Sequence, residues 1–143
     1  MTAFVLRRQL TVEWGDCDPA GIVFNPRFFE IFDASTWMLF DAALGIKRHD
    51  LNAAFGIFGI PLVDARAEFA RPAKFGDTID IASRVSAFRR SSFDVEHKIS
   101  IGGERAVDGF ETRVWAARDG TDPEKISAVP IPADVIARFN AKV

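Results

Sequence analysis

From Pro26 to Leu44 the apolar positions recur at helical spacing, and after Pro61 they recur at every second residue. The first stretch predicts a helix whose limits can be read locally. Asn25 suits the N-cap, Pro26 the first helical position and Gly45 the left-handed stop, while Phe24 and Phe29 are spaced for a hydrophobic staple. At about 1.5 Å per residue the helix runs about 28 Å, enough to cross a small domain. With successive residues about 100° apart, Phe28, Phe29, Phe32, Trp37, Leu39, Phe40, Ala43 and Leu44 share one half of the cylinder. Arg27, Glu30 and Asp41 form a narrow charged wedge flanked by Ile31 and Met38. So apolar a girth predicts burial under a wrapping sheet. Asp33 disobeys, falling between Phe40 and Leu44 on the apolar side, and a buried carboxylate needs a partner or a purpose.

Residues 5–14 read as a strand, with alternation from Gln9 onward. Residues 47–55 read as a weaker helical segment ended by Gly56 and Gly59. Beyond Pro61, Val63, Ala65, Ala67 and Phe69 face away from Asp64, Arg66 and Glu68, and residues 78–88 repeat the pattern with Ile79, Ile81 and Val85. The cleanest strand sets Phe93, Val95, Ile99 and Ile101 against Ser92, Asp94, Glu96, Lys98 and Ser100, and Gly102-Gly103 closes it as a hairpin. Residues 105–118 supply another strand, 126–129 a short extended piece, and Pro132 opens a helix over 133–140. No repeat, low-complexity tract or linker divides residues 1–143. The expectation is one α+β domain in which an antiparallel sheet wraps a helix.

Composition narrows the function. A formal charge of −2 over 143 residues provides no global field for nucleic acid or anionic lipid, so an anionic ligand needs a local basic patch. One cysteine excludes an intrachain disulfide framework and fits a reducing compartment. Residues 1–10 hold Arg7 and Arg8 without an apolar stretch of signal-peptide length, and no run approaches a membrane span. A cytoplasmic protein is expected.

The candidate chemistry lies just before the long helix, in the loop Gly15-Asp16-Cys17-Asp18-Pro19-Ala20-Gly21. A helix N-terminus offers unpaired N–H groups and partial positive charge, which suits a carbonyl oxygen gaining negative charge. The same field favours ionised Asp18, as base or nucleophile rather than acid. Asp-Pro-Ala-Gly is equally ordinary turn chemistry, so the residues alone leave both readings open. Cys17 stands between two carboxylates, which hinders thiolate formation. His97 shares the apolar phase of its strand and reads as a hydrogen-bonded core residue, and His49 and His97 are not at metal-ligand spacing. There is no nucleophile elbow, phosphate loop or dinucleotide fingerprint. Arg89 and Arg90, between two strands, can reach a phosphate or simply cap a solvated hairpin end.

The run from Glu13 to Pro26, with Gly-Asp-Cys-Asp-Pro-Ala-Gly at its centre, closely resembles the signature of the 4-hydroxybenzoyl-CoA thioesterase family of hotdog-fold proteins. The likeness continues more loosely through Phe29, Phe32-Asp33-Ala34, the strand after Ile60-Pro61, Arg71 to Asp77 and Arg89 to Phe93, so it covers nearly the whole chain. The resemblance implies a five-stranded antiparallel sheet around the central helix, in subunits that pair as homodimers and assemble as a homotetramer with sites between subunits. It implies an acyl-CoA thioesterase with no metal and no cofactor, coenzyme A being part of the substrate, and neither nucleic acid nor membrane as partner. Residue by residue, the catalytic aspartate matches Asp18 and the backbone N–H that polarises the thioester carbonyl matches Asn25. Asp33 matches an acidic position near the acyl pocket, which Phe24 helps to shape, and Arg89 and Arg90 match the basic pair that meets CoA phosphates. Two departures stand out: the chain has no Tyr, so Asn25 replaces an aromatic phenol, and Ser91 replaces a further basic residue. The rival readings are a non-catalytic acyl-CoA binder and a hotdog hydratase or dehydratase. The latter needs a His paired with an acid near the central helix, and this helix has no His.

Overall fold

The computed structural model describes residues 3–141, so residues 1, 2, 142 and 143 of the expected domain lie outside it. In chain order it contains β1 (Leu6–Thr11), α1 (Pro26–Leu44), α2 (Leu51–Phe55), β2 (Leu62–Phe69), β3 (Thr78–Phe88), β4 (Ser92–Ile101), β5 (Glu104–Val114), β6 (Ala116–Arg118), β7 (Ile126–Ala128) and α3 (Ala133–Asn140). Strands β1 to β5 form one antiparallel sheet in the order β1-β3-β4-β5-β2, and β6 pairs with β7 in a small second sheet. The β4–β5 hairpin turns through Gly102 and Gly103, at φ 58° and 81°, the doubly left-handed geometry that glycine tolerates best.

Helix α1 lies against the sheet with a narrower buried stripe than its composition suggests. Phe28, Phe32, Ser35, Thr36, Leu39, Phe40, Ala43 and Leu44 are buried, whereas Phe29 and Met38 are exposed. The C-terminal stop is as expected, with Gly45 at φ 69° and its N–H on the Asp41 carbonyl. The N-terminal cap is not. Asn25 already has helical dihedrals (φ −47°, ψ −42°) and makes no side-chain cap bond. The first turn is closed instead by Arg27 N–H to the Phe24 carbonyl at 2.8 Å and Phe28 N–H to the Asn25 carbonyl at 3.1 Å. No staple forms either: Phe24 makes no ring contact among the described residues, and Phe29 sets its edge against Phe32.

The apolar interior is two clusters. One, closed by α3, gathers Leu39, Phe40, Val85, Phe93, Val95, Trp115 and Phe139. The other gathers Val12, Val23, Phe28, Phe32, Ile79, Ile81, Ile99 and Val107. Between them each element contributes a polar side chain: Ser35 and Thr36 between Phe32 and Leu39 on α1, Ser83 between Ile81 and Val85, and His97 between Val95 and Ile99. On β5 the same zone holds Glu111 and Arg113, on the Trp115 side of Val107. On β1 it holds Arg8, whose guanidinium donates to Ser35 Oγ at 2.8 and 3.0 Å and to the Ile31 carbonyl at 3.1 Å.

Every polar group in this belt has a partner, as buried groups must. Glu111 Oε1 accepts from His97 Nε2 at 3.1 Å and from the Thr36 hydroxyl. A carboxylate cannot donate, so Nε2 carries the proton; in the neutral ring Nδ1 then accepts from Ser83 Oγ at 2.7 Å. Phe32 stacks on His97 at 5.0 Å and 13°. Gly109, the cross-strand partner of His97, leaves the space that the Phe32 ring fills.

Candidate active site

The acidic loop folds back on itself. Cys17 and Val23 form an antiparallel bridge, Asp18 N–H donates to the Ile22 carbonyl at 2.9 Å, and Phe24 N–H donates to the Asp16 carbonyl at 2.8 Å. Asp18 therefore sits on one arm of a tight hairpin, and the other arm runs through Phe24 and Asn25 into α1. Gly21, at φ 82°, makes the reversal. The flanking backbone is tied down as well, with Val23 N–H on the Ala73 carbonyl at 2.9 Å.

The two carboxylates of the loop have different employment. Asp16 Oδ2 accepts from the Glu13 N–H at 2.9 Å, fixing the short helical turn at Trp14–Asp16. Asp18 is half-buried, and Oδ1 accepts from the Ala20 N–H at 2.8 Å. That is the turn chemistry the dipeptide Asp-Pro suggests, but it occupies one oxygen only. Oδ2 accepts no hydrogen bond from the described residues. At the helix mouth, Pro26 has no N–H, and the Asn25 N–H donates to nothing among the described residues. A carboxyl group with an open oxygen and an unspent backbone donor thus lie on the two arms of one hairpin. Trp14, Phe24, Phe29 and Phe75 are exposed around them, with Trp14 and Phe75 edge to face at 5.5 Å.

Asp33 is not buried, contrary to the wheel. The stripe that α1 turns inward passes through positions 32, 35 and 36, which leaves position 33 at its margin with 56% of the side chain exposed. Its Oδ1 accepts from Arg113 Nη2 at 2.7 Å. Arg113 is itself buried, and it also reaches Glu111 Oε2 at 2.8 Å and the Ile60 carbonyl at 3.0 Å. Glu111, Arg113, Thr36 and Ser83 escaped the sequence reading. Burial by itself raises the Glu111 carboxyl, but hydrogen bonds from His97 and Arg113, with their charges, outweigh it and hold the group at about 2.

The basic pair divides. Arg89 meets Asp94 through both terminal nitrogens, at 2.9 and 2.7 Å, and Ser92 Oγ at 2.8 Å through Nε. This pairing is the main cause that lowers the Asp94 carboxyl below its ordinary value. Arg90 is exposed, and its guanidinium has no partner among the described residues.

A cavity of about 820 Å³ opens on the outer face of the sheet, bordered by Arg7, Asp80, Arg84, Glu96 and Arg105, and touches neither Asp18 nor Asn25. Its charges are mostly spent on one another, as in Arg84–Glu96 at 3.4 Å and Arg105–Asp108 at 2.7 Å. The open Asp18 oxygen and the unspent Asn25 N–H lie apart from this cavity, at the hairpin. Among the described residues, no group of three or more His, Cys, Asp or Glu side chains is placed to hold a metal ion, and no helix is long and apolar enough to cross a membrane.

A five-stranded antiparallel sheet wrapped on one long helix, with an acidic loop at the helix mouth, defines a hotdog domain. The chain belongs to the thioesterase-like superfamily, whose family model matches residues 12–139. It is 34% identical over 133 residues to 4-hydroxybenzoyl-CoA thioesterase of Pseudomonas sp. strain CBS-3, spanning 90% of this chain and 92% of that one. It is also similar to the crystal structure of an Asp-to-Asn variant of 4-hydroxybenzoyl-CoA thioesterase complexed with 4-hydroxybenzoyl-CoA. That match has a TM-score of 0.87 and 30% identity over 96% of this chain and 99% of that one. A gentisyl-coenzyme A thioesterase structure matches with a TM-score of 0.78 and 30% identity, over 92% and 99% of the two chains.

Proposed function

We propose that this protein is an acyl-CoA thioesterase that cleaves an aryl- or short acyl-CoA ester, of the 4-hydroxybenzoyl-CoA type, to the free acid and CoA. The observation that carries the reading is the hairpin, which holds an open Asp18 oxygen and an unspent Asn25 N–H at the mouth of α1. Asp18 acts ionised. It either adds its own oxygen to the carbonyl carbon or takes the proton of the water that adds. The Asn25 N–H and the helix terminus stabilise the oxyanion. As the C–S bond breaks, the sulfur leaves as the CoA thiolate and is protonated. Where Asp18 was the nucleophile, water then hydrolyses the resulting anhydride.

Phe24 and Asp33 border the acyl group. Arg90 meets the CoA phosphates, with Arg89 beside it but already committed to Asp94. Coenzyme A enters as part of the substrate, and the reaction needs no cofactor. The exposed aromatic residues around the loop and the exposed Leu62, Val63 and Phe69 on edge strand β2 support a homodimer that covers the site, pairing further into a homotetramer. The cytoplasm, and one domain over residues 1–143, complete the reading.

The His–acid pair that a hydratase needs is present in kind, as His97 and Glu111 beside α1. It is sealed, however, with His97 at 0% exposure and both ring nitrogens engaged. The decisive assay follows free thiol from benzoyl, phenylacetyl and short aliphatic CoA esters. Asp18→Asn should cut turnover at least about a hundredfold, and Asp16→Asn, which touches only a turn, should do much less. Equal and small effects would return the loop to a structural role, and binding without thiol release would make the protein an acyl-CoA binder.

A further inference from the structure

We infer that Arg113 is a positioning residue for the acyl pocket: shared between Glu111 and Asp33, it anchors Asp33 as a fixed acceptor at the exposed end of the buried polar belt. The inference rests on the thioesterase reading above. Three elements grip the guanidinium: Glu111 on β5, Asp33 on α1 and the Ile60 carbonyl just before β2. A planar fork held at three points cannot swing. Glu111 is fixed in turn by Thr36 and His97, and His97 by Ser83.

Charge explains the purpose. One guanidinium faces two carboxylates, and Glu111 is held by the Thr36 hydroxyl and His97 Nε2 as well, whereas the Asp33 carboxylate meets Arg113 alone among the described residues. Glu111 is sealed with 3% of its side chain exposed, whereas Asp33 has 56% exposed. Asp33 is therefore the less satisfied carboxylate, and its Oδ2 takes no hydrogen bond from the described residues. Asp33 is eight residues beyond Asn25, about 12 Å along the axis at 1.5 Å per residue. An acyl group of aryl size whose carbonyl is held at the helix mouth, lying along α1, reaches it. An oriented anionic acceptor there favours an acyl group that ends in an O–H donor over one that ends in C–H.

The test compares kcat/KM for 4-hydroxybenzoyl-CoA and benzoyl-CoA. The proteins are the parent, Asp33→Asn, Arg113→Lys, the double variant Arg113→Met with Glu111→Gln, and that double variant carrying Asp33→Asn. Removing both members of the buried pair avoids stranding a lone charge, and each variant is first checked for a cooperative melt. The parent should prefer the hydroxylated ester. The double variant should lose at least about fivefold of that preference, mainly through KM, and adding Asp33→Asn to it should take away nothing more. Arg113→Lys, which keeps the charge but loses the fork, should lie between, and it carries the test if the double variant fails to fold.

Three results would overturn the inference. They are a parent without preference, a folded variant that slows both esters alike, and an Asp33→Asn effect as large in the double variant as in the parent. A parent that cleaves only phenylacetyl or short aliphatic CoA esters overturns this inference alone, and one that cleaves no CoA ester of the panel refutes the thioesterase reading itself.

Discussion

Replacing Gly109 by alanine probes the packing that sets α1 on the sheet. A Cβ at that position would stand 2.6 Å from Cε2 and Cζ of Phe32 and 2.8 Å from Cδ2. The ring cannot yield easily, because Phe32 is 1% exposed and stacks on His97. Overpacking a rigid core costs about 1–3 kcal/mol, and with aromatic ring atoms as the obstacle the upper half, about 2–3 kcal/mol, is expected. In thermal terms that is a loss of about 6–9 °C in Tm for a domain of this size.

Urea unfolding followed by tryptophan fluorescence should show a lower midpoint at unchanged slope. Phe32→Leu removes the obstacle at its own cost of about 1–2 kcal/mol. The pair Gly109→Ala with Phe32→Leu should therefore cost less than the sum of the singles by at least about 1 kcal/mol. A Gly109→Ala protein within about 0.5 kcal/mol of the parent, or strictly additive singles, would refute the close approach.

Glu111 makes stability acid-sensitive. Its folded carboxyl is held at about 2 against an ordinary 4.5, so the unfolded chain takes the proton first. The resulting stability, on the order of 3 kcal/mol, is fully present above pH about 4.5 and is lost as pH falls toward 2. Urea midpoints across that window should fall more steeply for the parent than for Glu111→Gln, and parallel curves would contradict this. Arg90→Ala should raise KM for a CoA ester about tenfold, as loss of a charge-assisted bond does, and Arg89→Ala should raise it less. A larger effect at Arg89 in steady-state kinetics would reverse the assignment. Leu62→Lys on edge strand β2 should yield monomers in sedimentation, with activity falling alongside, whereas Thr11→Lys on edge strand β1 should leave assembly intact. Unaltered sedimentation of the β2 variant would place the subunit contact elsewhere.

Much of the fold could be read from the chain because local signals and packing agree. The alternation in β3 and β4, the Gly102-Gly103 turn and the Gly45 stop each have a backbone reason that needs no tertiary information. The helical pattern misplaces Asp33 because half of the cylinder is apolar, whereas the sheet covers a narrower stripe. Ser35 and Thr36 carried the signal, standing where a purely apolar stripe would have none. On β5, Glu111 and Arg113 share the phase of Gly109 and Trp115. Two charges on the inward phase of a strand announce a buried pair, but their third partner, Asp33, is 80 positions away and only the fold supplies it. Asp18 and Asn25 were legible as a motif. That Asp16 is spent on a turn while Asp18 keeps an oxygen open is a matter of hydrogen-bond geometry, which residue types do not encode.

The polar belt has one more effect. Arg8, Ser35, Thr36, Ser83, His97 and Glu111 act as a bulkhead between two hydrophobic holds. The aft hold, where Phe139 of α3 meets Phe40 and Phe88 at 4.7 and 5.4 Å, is a cluster distinct from the forward one among the described residues. Packing around Phe139 can therefore drift, and heat tolerance with it, while the bow hairpin keeps its geometry.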